Sequence, residues 1–75
     1  MTDAARTTMY AERCAAIQAH LRAGGSVRTV TYATSTIYSP KHVEWFSANT
    51  SGLYVRQGRG NVCLNFTTIQ FSKSV

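Results

Sequence analysis

The chain has few acidic residues, and this shortage excludes several classes of protein. Only three carboxylate side chains occur among 75 residues, at Asp3, Glu12 and Glu44. Catalysis needs an acid, a base or a nucleophile at spacings that bring them into one pocket, and no such spacing is present. We therefore expect a binding protein and not an enzyme.

Cysteine and histidine are also scarce, with two of each. Zinc prefers thiolate and imidazole ligands, but Cys14, His20, His42 and Cys63 form no Cys-x-x-Cys or His-x-x-x-His motif. No metal and no other cofactor are predicted, and free thiols are the default. A disulfide between Cys14 and Cys63 would require the first helix to pack over the face that carries Cys63.

Long apolar segments are missing as well. No stretch approaches the roughly 20 apolar residues that a membrane span requires, and residues 1–6 lack the apolar core of a secretory signal. We therefore expect no membrane partner and a cytoplasmic location, which would be the host cytoplasm if the chain is phage-encoded.

Positive charge, in contrast, is in excess. Eight Lys and Arg residues against three acidic ones give a formal net charge of +5 and a pI near 9.8. Such a balance attracts polyanions, so nucleic acid is the first partner to consider, although charge can also serve solubility alone. The basic residues are scattered along the chain, and folding would have to assemble any basic patch.

The length predicts one domain that spans residues 1–75. A hydrophobic share of 44% is typical of a globular chain and too high for a disordered tail. A core of this size rarely supplies more than roughly 3–5 kcal/mol, so a homodimer is a second expectation.

The residues from about Asp3 to Ala23 predict an amphipathic helix. Thr2 or Asp3 can cap its first turn, and Gly24-Gly25 can close its last turn in the left-handed conformation. The apolar residues recur at steps of four and three and form one stripe that should face a sheet: Tyr10, Cys14, Ile17 and Leu21.

The next segment, Ser26–Tyr38, is dense in β-branched and aromatic residues and predicts one strand, or two pieces with a break near Thr34-Ser35. Its alternation does not settle which side faces inward. Ser39 and Pro40 are suited to the N-cap and first position of a short helix that runs toward Phe46.

The stretch Gly52–Phe66 predicts a β-hairpin. Leu53 and Val55 alternate with polar residues, and Val62, Leu64 and Phe66 resume the alternation after a loop. The glycines at 58 and 60 fit a bulged or longer turn, with Arg56 and Arg59 at its tip. After Phe66 the apolar positions change parity, which implies a bulge, a bend or a sheet covered on both faces.

Together these patterns predict an α+β fold. One N-terminal helix packs on a three- to four-stranded antiparallel sheet, and a short helix lies between strands.

The hairpin tip is the best candidate site, because an arginine between glycines can reach phosphates or carboxylates. Nearby aromatic side chains, Trp45, Tyr54, Tyr32 or Tyr38, could stack on bases. Trp45 and Phe46 are adjacent, so one should be buried and the other exposed as a contact anchor. The alternative is a solvated turn whose arginines only keep the loop soluble. The full set of predicted binding residues is Arg28, Lys41, Trp45, Tyr54, Arg56 and Arg59.

Three segments carry a resemblance: Tyr38-Ser39-Pro40-Lys41-His42, Gly52-Leu53-Tyr54-Val55-Arg56-x-Gly58 and Cys63-Leu64-Asn65-Phe66. Their order resembles short uncharacterised reading frames of bacteriophages and prophages over roughly residues 27–71. The resemblance implies a small accessory protein that binds a host component, and it assigns no active residue. The leading hypothesis is a protein that engages nucleic acid or a nucleoprotein complex. The alternative is a protein–protein inhibitor of a host complex, such as an anti-CRISPR or other anti-defence protein.

Overall fold

The computed structural model describes residues 2–32 and 34–73 and confirms the predicted α+β class. The strands form two antiparallel three-stranded sheets: sheet A with the order β2-β1-β6, and sheet B with the order β3-β4-β5. A short 3₁₀ helix precedes β3. The elements in chain order are α1 (Asp3–Arg22), β1 (Ser26–Thr31), β2 (Thr34–Tyr38), the 3₁₀ helix (Pro40–Trp45), β3 (Phe46–Asn49), β4 (Gly52–Gln57), β5 (Gly60–Cys63) and β6 (Thr68–Ser72).

Both ends of α1 have the caps that the sequence predicts. Thr2 Oγ1 accepts a hydrogen bond from the Ala5 N–H at 3.1 Å. At the other end Gly24 adopts φ +94°, a conformation in which a side chain would be strained. The N–H groups of Gly24 and Gly25 each donate to a carbonyl of the last turn at 3.0 Å, which gives a Schellman-type ending.

The predicted apolar stripe of α1 faces the core. Cys14, Ile17 and Leu21 are buried, and Tyr10 packs at the edge of the same cluster. The helix contacts β3, β4, the 3₁₀ helix and β1. The remaining buried members of the core come from both sheets and from the segment after β5: Val27, Tyr38, Phe46, Leu53, Val55 and Leu64.

Sheet A begins with a tight connection that was only partly predicted. Thr31 pairs with Thr34, so only residues 32 and 33 link β1 to β2, and the break falls two residues before the expected position. Tyr32 in this connection has φ +47°, in the left-handed region. Val27 and Thr29 face inward while Arg28 faces solvent.

Strand β6 is tied to the end of α1. The His20 Nε2 atom lies 2.6 Å from the Ser72 carbonyl oxygen, as a hydrogen bond from ring to backbone. The His20 ring also meets Phe71 edge to face, with 5.0 Å between ring centroids. These two contacts hold sheet A against the helix at one corner.

The hairpin β4–β5 is tighter than expected. Gln57 pairs with Gly60, which leaves a two-residue connection with Gly58 at φ +58°. The prediction of a bulged or longer turn is therefore wrong, because one glycine at the first turn position suffices. Arg59 stands at the tip as predicted, whereas Arg56 lies within β4 opposite Asn61.

The hairpin also ends earlier than predicted. Strand β5 stops at Cys63, and the Phe66 side chain is 97% exposed, so its assignment to the apolar face is wrong. The cause is a bend held by Asn65. Its Oδ1 accepts from the Leu53 N–H and its Nδ2 donates to the Ser51 carbonyl, each at 2.9 Å. A bend was one of the three explanations for the parity change after Phe66.

Within residues 2–32 and 34–73, no helix has both the length and the apolar character needed to cross a bilayer.

Candidate functional site

The candidate site lies on the face of sheet B that points away from α1. In β4 the buried Val55 alternates with exposed Arg56, and Val55 pairs with the buried Phe46. Trp45 comes directly before Phe46 and Arg56 directly after Val55, so the antiparallel register places Trp45 beside Arg56. On the opposite edge of β4, Arg56 pairs with Asn61 of β5. Trp45, Arg56 and Asn61 thus form one row across the sheet.

A cleft of about 590 Å³ opens along this row. Its walls combine an indole, a guanidinium, a carboxylate and an amide, with backbone exposed at a glycine. We call it the Trp45–Arg56 cleft, and its lining comes from Glu44, Trp45, Phe46, Ser47, Arg56, Gly58 and Asn61. This composition can offer an aromatic surface for stacking beside donors and acceptors for hydrogen bonds.

The 3₁₀ helix positions Trp45. Three residues make one turn of such a helix, so His42 and Trp45 lie above one another. Their rings meet edge to face at 4.9 Å, and His42 contacts Tyr38 in the same way at 5.5 Å. The His42 Nδ1 atom accepts a hydrogen bond from the Ser39 N–H at 3.1 Å, which fixes the ring at the helix start. The Trp45 ring therefore packs against His42, whose own position is fixed by Ser39 and Tyr38.

Of the adjacent residues Trp45 and Phe46, one is exposed and the other is buried, as predicted. Trp45 is 46% exposed, whereas Phe46 is buried against Tyr38 with 5.2 Å between ring centroids. The Phe46 carbonyl also accepts a hydrogen bond from Gln18 Nε2 at 3.1 Å, which anchors β3 to α1. Burying one ring of the pair thus orients the other toward solvent.

The other hairpin residues extend the same surface. Tyr54 is half-buried in the neighbouring row, opposite Ser47 on β3 and Cys63 on β5. Arg59 is exposed in the turn next to Gly58. The structure therefore brings Trp45, Tyr54 and Arg56 onto one face of sheet B, and Arg59 lies in the turn at the end of that sheet.

Two predicted binding residues lie outside this group. Lys41 is exposed on the 3₁₀ helix, one turn before Glu44, and it does not line the Trp45–Arg56 cleft. Arg28 lies on the outer face of sheet A, where it lines a separate shallow cleft with Lys73. Arg28 is thus not assembled with the hairpin arginines.

Sequence reasoning missed Glu44 and Asn61 as parts of the cleft. Glu44 was considered only as an acid for catalysis. Asn61 lies just before Val62, where the sequence predicted the second strand to begin, but the two-residue turn makes it the strand partner of Arg56. Tyr38, one of the suggested stacking residues, is buried at 3% exposure and has no face open to a ligand.

The positive charge is largely unpaired. Within residues 2–32 and 34–73 the only ion pair joins Arg6 to Asp3 at 4.0 Å, which leaves seven of the eight basic side chains without a carboxylate partner. All but one of these seven are exposed, and Arg13 is half-buried. Their positive charge is therefore exposed to solvent and not neutralised within the described residues.

The two cysteines lie in different environments. Cys14 is buried on the α1 stripe, and burial raises the pKa of its thiol. Cys63 is exposed on the outer face of sheet B, whereas α1 packs on the other face, so the condition for a Cys14–Cys63 disulfide is not met and both thiols are free. In the part of the chain that the structure describes, no three His, Cys, Asp or Glu side chains cluster in a way that could hold a metal ion.

No protein-family model matches the chain, and neither a curated protein nor a solved structure matches it.

Proposed function

We propose that the chain is a non-catalytic binding protein whose sheet B outer face engages single-stranded nucleic acid, alone or within a nucleoprotein complex. The observation that carries this proposal is the Trp45–Arg56 cleft, in which a half-exposed indole adjoins an unpaired guanidinium. Arg56 and Arg59 would contact phosphates, and Trp45 would stack on a base.

The arrangement supports a single strand better than a duplex. Single-strand binders combine a positive surface with aromatic side chains on which unpaired bases stack, each worth about 1–3 kcal/mol. Trp45 and Tyr54 lie in adjacent rows of one sheet face, and residues two apart on a strand are roughly 7 Å apart. Asn61 and Glu44 at the cleft can exchange hydrogen bonds with a base edge.

The first test measures oligonucleotide binding by fluorescence anisotropy as a function of salt. The affinity should fall as salt rises, and the double variant Arg56→Gln/Arg59→Gln should flatten the logarithmic slope by about 1.4, since each lost phosphate contact on a single strand accounts for about 0.7. Trp45→Ala should weaken binding but leave this slope unchanged, because stacking releases no counterion.

The matched control is the double variant Arg22→Gln/Lys73→Gln. It removes the same two charges from the end of α1 and from the position after β6, and both side chains are exposed. It should retain nearly the parental affinity. The proposal fails if no short DNA or RNA strand binds at low salt, or if the control loses as much affinity as the hairpin variant.

A second candidate function is inhibition of a host protein complex, such as an anti-defence role. The observation that favours it is Glu44, because a carboxylate beside Arg56 gives the cleft mixed charge, which repels a phosphate but suits a protein surface. Tryptophan, tyrosine and arginine are also the side chains that most often dominate protein interfaces. Capture of bacterial proteins by the parent chain, by Trp45→Ala and by the control variant tests this role. It requires a specific protein that the parent and the control retain and Trp45→Ala loses.

Both functions are consistent with a phage or prophage accessory protein that acts in the host cytoplasm, and this source remains part of the proposal.

A further inference from the structure

A second surface on the molecule has two large aromatic side chains that contact almost nothing. Tyr32, between β1 and β2, is 106% exposed, and Phe66, in the bend after β5, is 97% exposed. A fully exposed phenylalanine in a chain with so small a core forgoes the stabilisation that burial of its ring would give. Both rings flank one cleft of about 710 Å³.

Tyr32 also has an unusual backbone. Its φ of +47° is the only positive value at a non-glycine residue in the described part of the chain. Glycine, asparagine or aspartate normally occupies such a position, and a bulky side chain there is strained. The fold therefore holds an aromatic ring in solvent at a site where a small polar residue would be more stable.

The surface around these rings is uncharged. The lining of the cleft, which we call the Tyr32–Phe66 patch, consists of Val30, Thr31, Tyr32, Cys63, Phe66, Thr67 and Thr68. None of these residues is acidic, and no basic side chain of this +5 chain is among them. A polyanion would gain no ion pair at this patch.

We infer that the Tyr32–Phe66 patch is the interface through which two copies of this chain form a symmetric dimer. The Tyr32 and Phe66 rings project from the same surface that contains the cleft, and the cleft can receive a ring from another molecule. A twofold axis brings each projection to the partner's cleft, as an isologous interface requires. Two chains of charge +5 can approach each other most closely where both are neutral, and this patch meets that condition.

The area is also sufficient. An aromatic side chain buries about 150–250 Å². Two rings from each copy then contribute roughly 600–1,000 Å², about half of the roughly 1,200–2,000 Å² of a stable interface. The cleft walls would supply the rest. The inference does not depend on the proposed function, because the patch and the Trp45–Arg56 cleft share no residue.

Sedimentation equilibrium over a wide range of protein concentration tests the inference. The parent chain should show a monomer–dimer equilibrium, and Tyr32→Asn/Phe66→Ser should raise its dissociation constant at least about 30-fold, the effect of losing one strong aromatic anchor. Asparagine tolerates positive φ, so the variant should stay folded, and circular dichroism checks this. The control Ile37→Thr, which changes another exposed apolar side chain in sheet A, should dimerise like the parent.

Cys63 provides a second readout, because it lines the patch and is exposed in the single chain. Its alkylation by a maleimide should slow as the parent concentration rises, and it should not slow in the double variant. The buried Cys14 serves as the internal reference for unfolding.

Three results would overturn the inference. The parent could remain monomeric at every concentration, the double variant could dimerise as well as the parent, or dimerisation could leave the Cys63 alkylation rate unchanged. A monomeric parent whose double variant loses oligonucleotide binding would instead assign the rings to base stacking.

Discussion

The two sheets have the same number of strands but differ in what covers them. In sheet B, α1 lies over the inner face, and Phe46, Leu53 and Val55 are almost fully buried. In sheet A, Val27 and Tyr38 are buried to the same degree, but Ile69 is half-buried and Phe71 is 50% exposed. Apolar burial is thus concentrated between the helix and sheet B, and sheet A depends more on backbone pairing and polar contacts.

The inner face of sheet A explains this difference. A gap of about 210 Å³ lies between the two sheets, with Gln57, Val62 and Leu64 on the side of sheet B. On the side of sheet A it is lined by Tyr38 and by four threonines from β1 and β2: Thr29, Thr31, Thr34 and Thr36. Hydroxyl groups bury less apolar surface than valine or isoleucine, so this half of the molecule gains less from burial.

The largest expected effect sharpens this contrast. Leu53→Ala in sheet B should lower the free energy of unfolding by about 2–5 kcal/mol, because it leaves a cavity under α1. Ile69→Ala in sheet A should cost less than half as much, since its side chain is already partly in water. Urea unfolding at a concentration that keeps the protein monomeric measures both. Equal losses would show that the two sheets share the core evenly.

The next effect concerns the bend that separates the sheets. Asn65→Ala removes two hydrogen bonds to the start of β4 and leaves the Leu53 N–H unpaired, which should cost about 1–3 kcal/mol. Asn61→Ala is the matched control, because Asn61 is exposed, and its loss should stay within about 0.5 kcal/mol. A similar loss for both variants in thermal unfolding would rule out a special role for Asn65.

A smaller effect should appear at high pH. Burial raises the pKa of Tyr38 above its ordinary value of 10.0, and a hydrogen bond with Thr29 offsets part of this rise. The folded state therefore favours the protonated phenol. This difference in pKa stabilises the folded state fully below pH 10, and the stabilisation is lost as the pH rises through the pKa of Tyr38 in the folded protein.

Tyr38→Phe should remove this part of the pH dependence, although it also removes the 3.3 Å contact between Gln57 Nε2 and the Tyr38 hydroxyl. Unfolding in urea at neutral pH and at pH above 10 measures the change. The exposed Tyr32 provides the control, and Tyr32→Phe should keep the parental decrease. If Tyr38→Phe loses stability at high pH as steeply as the parent, burial of the Tyr38 phenol does not cause the loss of stability.

The sequence predicted α1, its caps and the presence of the β4–β5 hairpin, because each depends on local chemistry, but it did not predict the length of the hairpin turn or the end of β5. The stripe from Tyr10 to Leu21 has helical spacing, and Gly24 and Gly58 stand where positive φ is needed. The division into two sheets could not be predicted in this way. The chain leaves sheet B at a bend where the Asn65 side chain accepts a hydrogen bond from backbone twelve residues away, a contact that no local pattern indicates.

Sheet A was harder to predict for a related reason. Four of the inward residues of β1 and β2 are threonines, and apolar Val30 and Ile37 face outward, so the alternation of apolar and polar residues carried no clear signal. The candidate site was predicted only in part. Arg56 and Trp45 were chosen for their side-chain type, but the register that sets them beside Asn61 and Glu44 required the turn length and the 3₁₀ geometry.

The most direct test asks whether the charged face of sheet B and the neutral Tyr32–Phe66 patch act separately. Sedimentation velocity with a labelled single-stranded oligonucleotide reports binding and oligomeric state in one measurement. Arg56→Gln/Arg59→Gln should lose the oligonucleotide and still dimerise, whereas Tyr32→Asn/Phe66→Ser should keep the oligonucleotide and remain monomeric. The division of roles would be contradicted if one variant lost both oligonucleotide binding and dimerisation. It would also be contradicted if both variants kept both properties.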